Sequence, residues 1–177
     1  MKKIVGYRPI LILAILWFIS VNLQGQSEYM LKAGFIERFT RFIEWPVDSI
    51  SSDTTRPFNI LVLGNNPFGK SLETMFAKTK IKKRRVLIRY AAHLDTSGCY
   101  HMIFIGENMA RDIHAILDYT GNKPIITLSE TGGFGTKGVM INFFIDKNKI
   151  RFEVNQEALR RSGLKVSHLL MQSARII

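Results

Sequence analysis

The residues that most resemble a chemical site are Gly64-Asn65-Asn66-Pro67-Phe68-Gly69-Lys70-Ser71, which have the spacing of a P-loop between an apolar run and a helical pattern. In such a loop the backbone N–H groups cradle phosphates, the lysine reaches the outer phosphates, and the serine ligates magnesium. Two features of this copy argue against that chemistry. Pro67 removes one N–H, and the third apolar run ends Ile105-Gly106-Glu107 rather than in the aspartate that helps hold the metal. The expected role is a helix start, with Asn66 as N-cap and Pro67 at the first helical position.

Other constellations are weaker. Thr131 to Gly138 contains four glycines and could form an anion-binding nest of N–H groups, though a flexible loop explains the same composition. Lys78, Lys80, Lys82, Lys83, Arg84, Arg85 and Arg89 form a dense basic cluster, suited to an acidic partner or to a solvated face. His93, His101, His114 and His168 have no metal-binding spacing, and Cys99-x-His101 lacks two further ligands. There is no Gly-x-Ser-x-Gly elbow and no paired-carboxylate motif. The expectation is a protein without catalytic set, metal or cofactor.

The elements that would position these residues follow from periodicity. Val139 to Ile145 is an apolar run, Asp146-Lys147-Asn148 a polar turn, and Ile150, Phe152 and Val154 alternate with Arg151, Glu153 and Asn155. This predicts a hairpin with a deep inner strand and an edge-like outer strand, wet on the Glu153 face. Asn155 is the expected N-cap of a short helix stopped at Ser162-Gly163, and Ser167 the cap of another running to Ile176. Tyr29 to Trp45 is an amphipathic helix, with Phe35, Ile36, Phe39, Phe42 and Ile43 at helical spacing and Pro46 as its stop. Between these ends lie strands at Phe58–Leu63, Val86–Tyr90, His101–Ile105 and Ile125–Leu128, alternating with helices to about Thr79 and over Met109–Tyr119. The fold expected is α/β: a mainly parallel sheet extended by the C-terminal antiparallel hairpin, with helices on both faces. Ligands of open α/β sheets sit beyond the carboxyl ends of the strands, which here carry Asn65, Asn66, Glu107, Asn108, Ser129 and Glu130 as a candidate pocket.

The chain has 177 residues and a formal net charge of +11. Lys2, Lys3 and Arg8 precede an unbroken apolar run from Ile10 to Ile19, and small and polar residues follow to Ser27. That is the layout of a secretory signal peptide over residues 1–25, leaving one domain over 26–177; retention as an anchor is the alternative. Export places the P-loop lookalike where nucleoside triphosphate is scarce, and excludes nucleic acid as the target of the basic cluster. Cys99 cannot form an internal disulfide, and its place before an apolar strand predicts burial.

Both ends of the mature chain carry a resemblance. At one end stand Gly138-Val139-Met140-Ile141-Asn142-Phe143, Ile150-Arg151-Phe152-Glu153-Val154-Asn155, Ala158, Gly163-Leu164-Lys165-Val166-Ser167 and Leu169-Leu170. At the other stands the run from Lys32-Ala33-Gly34-Phe35 to Glu44-Trp45-Pro46. Together with Leu63 to Gly69, Cys99 to Ile105 and Ile126 to Glu130, these segments resemble the YfiR/HmsC-like family of periplasmic proteins. The resemblance implies a non-enzymatic regulator that binds the periplasmic part of an inner-membrane diguanylate cyclase and holds it inactive, so that cyclic-di-GMP and biofilm output respond to the envelope. Many members carry several cysteines for disulfides; this chain has one, which puts internal redox control in doubt.

Two uses of the surface follow. A regulator would use Phe35, Phe39, Phe42 and Trp45 of the first helix with Lys82, Lys83, Arg84 and Arg85 as its partner interface, and a homodimer is compatible with the same residues. A periplasmic small-ligand binding protein would use the strand-end pocket instead. Export itself is checked by N-terminal sequencing from the native host: the mature chain should begin near Gln26, and an intact Met1 end in the cytoplasm would overturn it.

Overall fold

The structure is a computed structural model that describes residues 27–46 and 55–177. The proposed signal peptide lies outside the described residues. Helix α1 covers residues 27–42 and runs directly into β1, Ile43–Glu44. There follow β2 (Phe58–Leu63), α2 (Ser71–Phe76), β3 (Val86–Ala91), β4 (Met102–Ile105), a 3-10 turn at Glu107–Met109 and α3 (Ile113–Thr120). The second half holds β5 (Ile126–Ser129), α4 (Phe134–Lys137), β6 (Ile141–Asp146), β7 (Lys149–Val154), α5 (Gln156–Arg161), β8 (Lys165–Val166), α6 (His168–Gln172) and β9 (Arg175–Ile176).

Seven strands form one sheet in the order β3-β2-β4-β5-β6-β7-β9, parallel except where β6 and β7 make an antiparallel hairpin. The fold class expected from the sequence is the one found. β4 shows why the sheet is covered on both sides: all four of its residues are buried. Met102 and Phe104 join one apolar cluster with α1, α2, α5 and α6, while Ile103 and Ile105 join another with α3 and α4. Period-two alternation sends successive side chains to opposite faces, so a doubly covered strand must be apolar throughout. The hairpin closes through Lys147 and Asn148, both with positive φ (47° and 61°), the backbone of the primed turns that match strand twist.

Several elements end elsewhere than local pattern predicts. Pro46 does not stop α1; the helix ends at Phe42, four residues before it, because Ile43 and Glu44 pair with Val166 and Lys165 and the Ser167 N–H donates to the Phe42 carbonyl at 2.8 Å. α2 begins at Ser71 rather than at Pro67, since the Asn66 Oδ1 accepts the Phe68 N–H at 2.9 Å and bends the chain into a separate turn first. The last helix stops at Gln172, and β9 lies parallel to β7, so β7 is not an edge over Glu153 and Val154. Glu153 is therefore buried, bonded by Asn142 at 3.1 Å and paired with Arg175. The glycine-rich loop folds into α4, with Phe134 in the core, in place of a flexible segment. Cys99 is exposed, not buried, and the Asn59 side-chain amide donates to its carbonyl at 2.8 Å.

The floor of the main core is an aromatic stack. Trp45 meets Phe58 edge-on at 5.2 Å, and Phe58 stacks on His101 at 4.7 Å. His101 is buried, and its Nδ1 accepts the Asn59 N–H at 3.0 Å. Burial, with the Arg84 charge nearby, pushes its pKa down from 6.5 to about 4. The folded chain thus refuses a proton that the unfolded chain accepts below about pH 6.5. Stability is full above that pH and falls as pH drops toward 4, by on the order of 3 kcal/mol from this group. Urea midpoints measured at neutral and mildly acid pH should show that loss, and His101→Asn, which keeps an acceptor for Asn59, should flatten it.

Candidate functional site

The carboxyl ends of the parallel strands are held by their own side chains. Gly64 follows β2 at φ +85°, and a Cβ there would come within 2.3 Å of the Asn108 Oδ1. That oxygen accepts the Asn65 N–H at 2.8 Å, so the loops after β2 and β4 are clasped together. Ser129 is buried and donates to the Ile105 carbonyl at 2.8 Å. Glu130 accepts from the Tyr29 hydroxyl at 2.9 Å and from the Lys32 ammonium at 2.5 Å. Lys32, only 4% exposed, also bonds Glu28 at 2.5 Å and lies 4.5 Å from the Tyr29 ring centre. Burial, reinforced by Glu130, keeps the Tyr29 phenol protonated well above its ordinary range.

Of the expected pocket residues, Glu107 and Glu130 do share a cleft of about 340 Å³ with Tyr29, Lys32 and Gly132. Asn65 and Asn108 bond each other, Asn66 serves its own loop, and Ser129 lies inside the sheet. The arrangement fastens α1 to the sheet. It brings no nucleophile next to a base, and among the described residues no three His, Cys, Asp or Glu side chains gather as a metal site.

The P-loop lookalike has no cradle to offer. The Phe68 N–H is taken by Asn66, the Ser71 N–H by the Phe68 carbonyl at 2.9 Å, and Ser71 is buried. Lys70 points out into solvent just before α2.

The expected partner interface is divided by the fold. Phe39 and Trp45 are buried; Phe39 stacks on Phe143 at 5.7 Å and meets Phe152 edge-on at 4.8 Å. Arg84 is also buried and reaches the Arg56 carbonyl at 3.3 Å. Phe39 belongs to the inner stripe of α1, Trp45 follows β1 and packs on Phe58, and Arg84 turns inward from the turn before β3. Phe35 and Phe42 are half-buried on the flank of α1, and Lys82, Lys83 and Arg85 are exposed on a separate turn.

The structure adds apolar neighbours that sequence reasoning missed. Leu31 is 58%, Ile145 53% and Leu169 61% exposed. They lie on three grooves of about 430, 490 and 700 Å³ along α1, all of which Phe35 lines. Leu31 could have been found, since it stands one helical turn before Phe35. Ile145 and Leu169 come from the hairpin and α6, and only the tertiary fold brings them there. Together they make a continuous apolar flank with Arg38 and Lys149 at its rim.

A family model described as YfiR/HmsC-like matches residues 29–175, from the first turns of α1 to β9. The chain belongs to the YfiR/HmsC-like family. The match takes in the whole sheet and the α1 flank together. No curated protein matches the chain. The YfiR/HmsC-like family is one of periplasmic regulators that act with a partner protein. Among the described residues no helix is long and apolar enough to cross a membrane.

Two lysines separate the two readings of this end of the molecule. Lys70→Ala should change stability by less than about 0.5 kcal/mol and leave no ATP-dependent shift to lose, as an exposed position predicts. Lys32→Met should cost about 3 kcal/mol in urea unfolding, because Glu28 and Glu130 lose their shared cation at a buried site. Micromolar ATP binding abolished by Lys70→Ala would reverse this assignment.

Proposed function

We propose that this protein is a non-enzymatic periplasmic regulator that binds the periplasmic domain of an inner-membrane signalling enzyme of the diguanylate cyclase type and holds it inactive. The surface that makes the contact is the outer flank of α1, with Leu31, Phe35 and Phe42 beside Leu169. Residues 1–25 are the export signal and are removed, which leaves a net charge of +8 on the mature chain. Loss of the contact releases the enzyme and raises cyclic-di-GMP and biofilm formation.

The observation that carries this reading is the family match over residues 29–175. The flank supports it physically. Exposed leucines grouped along half-buried aromatics are what a protein interface buries at its centre, whereas scattered single ones mean little. The positive charge would speed encounter with an acidic domain and fade as salt screens it over roughly 8 Å at physiological ionic strength. The small-ligand reading finds less support, since Glu130, Asn108 and Ser129 are spent on bonds within the protein.

The test is capture of the membrane partner by the mature chain and by the double variant Leu31→Asp, Leu169→Asp. Both positions are exposed, so the variant should unfold at nearly the wild-type temperature. Its capture of the partner should fall by about tenfold or more, the equivalent of 1.4 kcal/mol, and cells carrying it should show raised cyclic-di-GMP. Undiminished capture would remove α1 from the interface. A tightly held small molecule in the purified protein, with no membrane partner, would favour the ligand-binding alternative.

A further inference from the structure

The basic cluster before β3 is not explained by the α1 flank, and the strand beside it is open. Among the described residues β3 is the last strand of the seven and pairs on one side only, in register with β2 from Phe58↔Val86 to Leu63↔Ala91. The Phe58 N–H donates to the Arg85 carbonyl and the Gly64 N–H to the Ala91 carbonyl, both at 2.8 Å. In a parallel ladder alternate residues bond to the same neighbour. Arg85, Leu87, Arg89 and Ala91 therefore face β2 with their backbones, while Val86, Ile88 and Tyr90 turn their N–H and C=O groups outward. The strand is six residues long, without proline or bulge, and among the described residues no strand pairs with its outer side. Proteins commonly blunt so long an edge or use it.

The turn leading into this edge is unusual. Ile81 and Arg84 exchange both backbone bonds, N–H to C=O at 3.1 and 2.9 Å, around Lys82 and Lys83. Both lysines have positive φ, 49° and 66°. Asn-Gly is the least strained sequence for such a turn, and a left-handed residue with a Cβ is strained by its own side chain. The chain accepts that strain and places two exposed cations at the tip, with Arg85 and Arg89 exposed along the strand. Acidic groups nearby among the described residues include Glu73, which accepts from the Tyr90 hydroxyl, and Asp95, close enough to feel the Arg89 charge.

We infer that the open edge of β3 and the Lys82–Lys83 turn form a docking site for an extended, acidic segment of another protein, which adds to the sheet as a further strand. Backbone bonds to Val86, Ile88 and Tyr90 would supply the pairing, and the four cations would select the charge of the segment. A second copy of this chain is a poor occupant, because β3 carries no carboxylate and two-fold pairing through it would offer these cations nothing acidic. The site is separate from the α1 flank, and its failure would leave the reading of that flank untouched.

The test uses the mature chain and two short capped peptides, one alternating valine with glutamate and one alternating valine with lysine. At low salt the glutamate peptide should bind about tenfold tighter or more, with the difference shrinking as salt is added. Amide exchange should slow at Val86, Ile88 and Tyr90 in its presence. The variant Lys82→Asn, Lys83→Gly carries the preferred turn residues, so it should be at least as stable as the wild type while binding the glutamate peptide several-fold more weakly. Equal binding of the two peptides, undiminished binding by the variant, or unchanged exchange at those amides would overturn the proposal. Slowing of the same amides with protein concentration alone would make the occupant a second copy and overturn it as well.

Discussion

A lysine ammonium kept out of water between two carboxylates decides how the first helix lies on this sheet. Lys32 is buried beneath α1, and Glu28 from its own helix and Glu130 from the end of β5 share its charge. A buried charge is tolerated only where its partners are in place, so the pair fixes register more than it adds stability. With Lys32 directed at Glu130, Ala33, Ile36 and Phe39 must face the sheet, and Phe39 enters the space beside Phe143 and Phe152. Leu31 and Phe35 are then turned to the flank. The apolar surface proposed for partner binding follows from this rotation: the helix carries a wider apolar stripe than the sheet can cover, and the ion pair chooses which part stays outside.

The other end of α1 is fixed by the C-terminal segment. β8 pairs with β1, the Ser167 N–H occupies the Phe42 carbonyl, and β9 returns to the outer side of β7. Segments distant in sequence are thus one structural unit, and Leu169 of α6 stands beside Phe35 and Phe42 because of it. The family match, which begins in α1 and ends in β9, spans this unit as well as the sheet. A change in the C-terminal strap would be felt on the α1 flank without touching it directly.

What could be read from the sequence was what local chemistry decides. The Asn155 side chain accepts the Ala158 N–H and the Ser167 side chain the Leu169 N–H, as N-caps should. The hairpin, the doubly apolar strands and the α/β architecture follow from periodicity. What could not be read was set by distant partners. Alternation placed Glu153 in water, but β9 covers it and supplies Arg175. The basic run suggested a uniform face, but Arg84 turns inward while Lys82 and Lys83 bend outward in left-handed conformations. Trp45 continued a helical stripe, yet pairing with β8 had already ended the helix, and the indole instead packs on Phe58. The strand-end residues were located correctly in the topology, but nothing local shows that Glu130 is claimed by Lys32 and Tyr29.

The central claim, that the α1 flank meets a membrane partner, is tested most directly by photo-crosslinking in the native host. A photoreactive residue replaces Leu31 on the flank or His114 on α3, which packs on the opposite face of the sheet. The account predicts a crosslink from position 31 to the periplasmic domain of an inner-membrane protein, and none to that protein from position 114. Crosslinking to that protein from position 114 but not from position 31 would contradict it.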